Sequence, residues 1–141
     1  MGVAEAILVG SVWLWPVVGP VVTPFSAPTH PYAAAHRGID IAADPGSPIR
    51  AAHRGVVSHV GRVGGVPTIT VRDGRMQVTY QPVDSALRVG ATLEAGDLLG
   101  ALGRWSGHCT CLHLGVRVSG HYRDPLPFFR APIVVKSPRV P

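Results

Sequence analysis

Lysine is nearly missing from this chain. Lys136 is the only one in 141 residues, so the excess of 13 Lys+Arg over 8 Asp+Glu, a formal charge of +5, is carried by arginine. The arginines occur singly, with no basic run to follow a nucleic-acid backbone and no aromatic-interleaved RNA motif, which argues against a nucleic-acid partner. Charged residues make up only 15% and aromatic residues only 6%. No apolar stretch approaches the roughly 20 residues that cross a bilayer. The apolar stretch Ala6–Leu14 follows Glu5 rather than a basic segment and stops at Trp15-Pro16, so it does not read as a signal peptide either. It reads instead as an entering strand, with residues 1–12 a lead-in to the domain or the remnant of a processed chain. Helical periodicity and internal repeats are also lacking, which excludes helix bundles and solenoids. Cysteine is limited to Cys109 and Cys111. Alternate side chains of a regular strand stand about 6.6 Å apart, so these two can join only across a bend. The pair hints at an oxidising compartment.

What the chain has is turn residues set among aliphatic ones: 17 Gly and 14 Pro against 46% AVILMFWYC. Its length fits one domain with a substantial core, and this composition reads as all-β. Pro20, Pro24, Pro28 and Pro31 mark an irregular entry loop. Gly55–Val63 reads as a buried strand ended by Gly64-Gly65. Val66–Val71 and Met76–Tyr80, joined through Asp73-Gly74, form the clearest hairpin. Val89–Gly100 reads as a glycine-cornered β segment. The domain is expected over 13–130, followed by a loosely attached Pro-rich tail over 131–141. His53, His59 and His121 read as surface histidines at turn-flanking or outward positions.

Two segments carry chemistry. In Ala35-His36-Arg37-Gly38-Ile39-Asp40-Ile41-Ala42, a regular strand would put His36, Gly38 and Asp40 on one face and Arg37, Ile39 and Ile41 on the other. Gly38 then leaves room for a metal between an imidazole and a carboxylate. Downstream, His113 in Cys111-Leu112-His113-Leu114-Gly115 is again flanked by apolar residues on the opposite face. Two histidines and a carboxylate fit a zinc site with three protein ligands and one open position.

Taken together, these pieces resemble the LytM/lysostaphin-type family of zinc endopeptidases, which cut peptide cross-links in bacterial peptidoglycan. The resemblance runs through Trp15-Pro16-Val17, His36-Arg37-Gly38-Ile39-Asp40 as a His-x-x-x-Asp motif, Pro48-Ile49-Arg50-Ala51-Ala52, the segment Val89–Gly103, Leu112-His113 with Val116-Arg117, and Asp124-Pro125-Leu126. It implies an antiparallel two-sheet β-sandwich with a zinc-bearing groove, the zinc held by His36, Asp40 and His113. It also implies an extracytoplasmic setting and peptidoglycan, or another anionic cell-wall polymer, as partner.

The departures fall on the chemistry. The family places two further histidines at the scissile bond, one in a Tyr-x-His segment and one opening a His-x-His strand. Here those positions are Pro82 and Cys111. Proline has no titratable group, and each positioned acid or base contributes about 10²–10⁴-fold in rate, so impaired hydrolysis is expected. Cys111 has three available states: a thiolate completing the zinc shell as a fourth ligand, a disulfide with Cys109, or a free thiol. The expected function is that of a wall-binding or regulatory pseudo-peptidase, acting alone or on another cell-wall hydrolase. The alternative is an active endopeptidase using a substitute base, His108 before the last metal strand or His30 in the entry loop.

Overall fold

A computed structural model describes residues 12–27, 35–105 and 109–130. Ala6–Ser11, His30, His108 and the tail 131–141 lie outside the described residues. Eleven strands run in chain order: β1 (Val21–Thr23), β2 (Ile39–Ala42), β3 (Pro48–Arg50), β4 (Gly55–Val63), β5 (Val66–Asp73), β6 (Met76–Gln81), β7 (Val83–Asp84), β8 (Thr92–Leu93), β9 (Leu98–Leu102), β10 (Cys111–Val118) and β11 (His121–Arg123). A 3₁₀ turn, Leu126–Phe129, follows. The strands form two antiparallel sheets, as the resemblance implied. The large one has the order β1-β2-β10-β6-β5-β4-β8, with β11 on β10, and the small one the order β3-β9-β7.

Period-two alternation builds the core and the outer face together. On β10, Leu112, Leu114 and Val116 are fully buried, and so are Ile39 and Ile41 on β2, Ile69 and Val71 on β5, and Val78 and Tyr80 on β6. Ile49, Leu99, Leu102 and Val83 meet them from the small sheet. Each large aliphatic side chain buried here stabilises the fold by about 1.5–3 kcal/mol. The intervening residues Thr68, Thr70, Gln77, Thr79, Gln81, His113 and Arg117 line a groove on the outer face. The β5–β6 hairpin turns at Gly74, where φ is +62°, matching the Asp73-Gly74 signal. Val89–Gly100 divides between sheets: β8 pairs with β4 in the large sheet and β9 with β3 in the small one.

Three sequence expectations change. Val12–Leu14 belongs to no strand. Instead, the Trp13 N–H donates to the Phe128 carbonyl at 3.0 Å, and its ring stacks on His53 and Phe128 with centroids 4.7 and 4.5 Å away. His53 is accordingly buried rather than on the surface. Its partner in the stack lies 40 residues upstream, so no local pattern could have revealed it. His59 is half-buried and lines the groove, with Nε2 buried and lacking a hydrogen-bond partner. A register irregularity between Val57 and His59 sets His59 opposite Thr70, on the groove side. Without the extra residue His59 would fall opposite Ile69, on the core face. His121 is exposed, as expected.

Candidate metal centre and groove

His36 does not share a regular strand with Asp40. It makes an isolated bridge with Ser26, and β2 begins only at Ile39. Arg37, expected on the core face with Ile39 and Ile41, is therefore exposed and lines the groove. The backbone path still returns His36 to the carboxylate, its Nε2 standing 3.1 Å from Oδ2 of Asp40. Across the ladder His113 pairs with Asp40, and its Nδ1 lies 2.8 Å from Oδ1. The three donor atoms lie within 4.8 Å of one another, so the structure brings together the set read from sequence.

The donor chemistry of this set fits a bound cation. Nδ1 of His36 faces the Pro24 carbonyl at 2.9 Å; a carbonyl only accepts, so Nδ1 carries the proton. In the neutral ring Nε2 then presents a lone pair towards a carboxylate oxygen. That nitrogen is buried without a hydrogen-bond partner. Two acceptors so placed repel unless a positive charge lies between them. A backbone carbonyl fixing the far ring nitrogen is also how metal-ligating histidines are commonly oriented. Asp40 is 2% exposed, so its charge acts in a medium that strengthens attraction to a cation.

Gly38 shapes this centre. A Cβ there would lie 2.8 Å from Nε2 of His113 and closer still to the Leu114 carbonyl oxygen. The glycine thus lets Nε2 and Cε1 of the His113 ring come close to the chain, a stronger constraint than the open space inferred from sequence.

The two expected departures appear as follows. Pro82 is buried where the chain passes from β6 to β7, and its carbonyl accepts the Gly103 N–H at 3.0 Å. Tyr80, of the Tyr-x-His position, is a core residue whose hydroxyl accepts the Ala52 N–H at 2.9 Å, and burial pushes its pKa up. Cys111 is 2% exposed and joined to Cys109 as a disulfide across the bend at Thr110, so in this form it offers no thiolate as a fourth ligand. The sulfurs nevertheless lie within 4.8 Å of the Asp40 carboxylate, which places Cys111 on the metal side of β10. Gln81 lines the groove and accepts from the Thr68 hydroxyl at 2.9 Å.

The groove has a volume of about 380 Å³ and runs from β10 across β6 and β5 to β4. Sequence reasoning missed Arg37, Tyr122 and His59 as lining residues. Arg37 and His59 reach the groove through breaks in regular alternation, and Tyr122 through the β10–β11 hairpin.

Comparison with known proteins agrees with this architecture. The model of Peptidase family M23 matches residues 34–125. The uncharacterized protein Rv2891 of Mycobacterium tuberculosis is 35% identical over 133 residues, covering 86% of this chain and 53% of that protein. The DD-carboxypeptidase/endopeptidase Mpg of Neisseria meningitidis is 28% identical over 113 residues, covering 75% of this chain and 26% of that protein. The catalytic domain of the antimicrobial peptidase lysostaphin from Staphylococcus simulans superposes with a TM-score of 0.69 at 20% identity, covering 79% of this chain and 92% of that one. The chain spans about half the length of Rv2891, at 53%, and less of Mpg, at 26%. With the family model spanning residues 34–125, a stretch that includes His36, Asp40 and His113, the chain belongs to Peptidase family M23.

Proposed function

We propose that this is a peptidoglycan-directed domain that holds zinc through His36, Asp40 and His113 and has lost most or all of the family's endopeptidase activity. It acts outside the cytoplasm, binding the wall or regulating another wall hydrolase. The observation that carries this reading is an intact donor triad beside two positions without an acid or base: the buried Pro82 and the disulfide-bonded Cys111. When bound, zinc supplies Lewis-acid polarisation of a carbonyl. The chain's own residues hold it: His36 is oriented by Pro24, His113 is positioned by β10, and Asp40 supplies the charge between them. The two positions where the family sets its further histidines hold Pro82 and the disulfide-bonded Cys111, and neither side chain can pass a proton to a leaving amine. The likeness to the DD-carboxypeptidase/endopeptidase Mpg supports peptidoglycan as the material recognised, and a disulfide beside the site supports an oxidising compartment.

Elemental analysis of wild type, His36→Ala and His113→Ala tests the metal assignment. About one zinc per wild-type chain and a large loss in both variants is expected; equal zinc in all three rejects it. Turnover of cross-linked muropeptides by the zinc-loaded chain, beside an active family member, tests the chemistry. Turnover at a comparable rate would replace this reading with that of an active endopeptidase.

A further inference from the structure

The groove carries two arginines that the metal chemistry does not use. Arg37 and Arg117 both line it, with their Cζ atoms 5.5 and 5.9 Å from the centroid of the Tyr122 ring. Nη2 of Arg117 also donates to Oε1 of Gln77 at 2.9 Å, which orients its fork. Among the described residues, no Asp or Glu lines the groove and neither arginine forms an ion pair. Two cations gathered at one ring without a counter-charge repel each other, and an anion placed between them relieves this. A planar fork is matched by a carboxylate.

We propose that Arg37, Arg117 and Tyr122 form a carboxylate subsite, so that the groove accepts an extended peptide with a free carboxylate three or four residues from the position opposite His113. The spacing follows from the strand. Arg117 lies four residues beyond His113 on the same face of β10, about 13 Å at 3.3 Å per residue, and an extended peptide advances at the same rate. The floor between them offers polar groups without charge: Thr79, Gln77 and Gln81. The subsite thus reads charge at one end while the metal centre occupies the other. It deepens the proposed function, since it rests on reading the groove as a peptide site.

The test is an NMR titration of the zinc-loaded chain with N-acetylated, C-amidated alanine hexapeptides. The peptides carry a single Glu, Gln or phosphoserine at the fifth residue. For wild type the Glu peptide is expected to bind about tenfold more tightly than the Gln peptide, and the difference is expected to shrink as salt rises. Arg37→Gln and Arg117→Gln should each cut that preference to about threefold or less, and the double variant should abolish it. Equal binding of the Glu and Gln peptides by wild type, or an undiminished preference in the double variant, overturns the subsite. Stronger preference for the phosphoserine peptide overturns the carboxylate assignment. A chain that fails to hold zinc yet keeps the Glu preference would sink the metal reading and leave the subsite standing.

Discussion

Replacing Gly38 by alanine should disrupt the metal centre without touching a ligand. The added methyl would lie 2.8 Å from Nε2 and 2.9 Å from Cε1 of the His113 ring, and would press on the Leu114 carbonyl oxygen. Ordinary contact begins near 3.4 Å, so the ring must retreat by about 0.6 Å and β2 must ease away from β10, because a backbone oxygen cannot rotate aside. Either movement lengthens the 2.8 Å contact between Nδ1 of His113 and Asp40. Overpacking of this kind costs about 1–3 kcal/mol, against a gain of about 0.4–1 kcal/mol from the stiffer unfolded chain. The net loss of up to about 2.6 kcal/mol corresponds to a fall in Tm of several degrees for a domain of this size. Zinc affinity should fall by about 10–100-fold, the range seen when a ligand's support is disturbed. Gly115→Ala is the matched control. Its methyl would meet the Arg37 carbonyl at 3.3 Å and the same ring nitrogen at 3.8 Å, so little should change. Calorimetric melting with a competitive zinc titration measures both quantities. If Gly38→Ala matches wild type in Tm and zinc affinity, the close fit between β2 and His113 is not what organises the site.

Three further outcomes are expected. The double change Pro82→His with Cys111→His should restore measurable muropeptide cleavage, and either change alone far less, because groups acting as a unit are not additive. A double variant that folds, holds zinc and cuts nothing would leave a binding module. Reducing the Cys109–Cys111 bond with a dithiol in the cobalt-substituted protein should produce thiolate-to-cobalt absorption, because the sulfurs already lie within 4.8 Å of Asp40; Cys111→Ser should remove it, and an unchanged wild-type spectrum would refute Cys111 as a fourth ligand. Burial lowers the pKa of His53 from the usual 6.5, opposed by its hydrogen bond to the Arg54 carbonyl and by the charge of Asp73. The unfolded chain therefore takes up a proton that the folded one resists, so stability is fully present above pH 6.5 and declines as pH falls below it. The fall in Tm from pH 7.5 to 5 should be smaller in His53→Gln, and an equal fall would deny His53 that role.

Alternation and turn chemistry made the sandwich readable. The aliphatic residues of β10 and the β5–β6 hairpin declare their buried face locally, and Gly74 supplies the turn that joins the hairpin. The candidate donor triad was readable because Asp40 and His113 alternate with those same core residues and pair directly across the ladder. What stayed hidden arises where alternation breaks or contacts are distant. The chain before β2 is not a strand, so Arg37 leaves the core face; a bulge in β4 turns His59 into the groove; and His53 finds Trp13 only through the tertiary fold.

The register explains why the two departures from the family's chemistry belong together. His113 pairs with Gln81 on one side and Asp40 on the other, and the β6–β10 ladder ends at that pair. One residue further, Pro82 has no N–H to continue the ladder, and the chain leaves the large sheet for β7 of the small one. Cys111 lies two residues before His113, at the same end of the neighbouring strand, where it still pairs with Ala42 of β2 but has no β6 partner. The altered positions therefore border one corner of the sheet beside the candidate metal ligands. Proline there withdraws a backbone donor as well as an imidazole, and the disulfide ties down the strand end that faces it. Restoring one histidine alone would return a side chain to a corner still shaped by the other substitution, which is the physical reason to expect strong coupling between them.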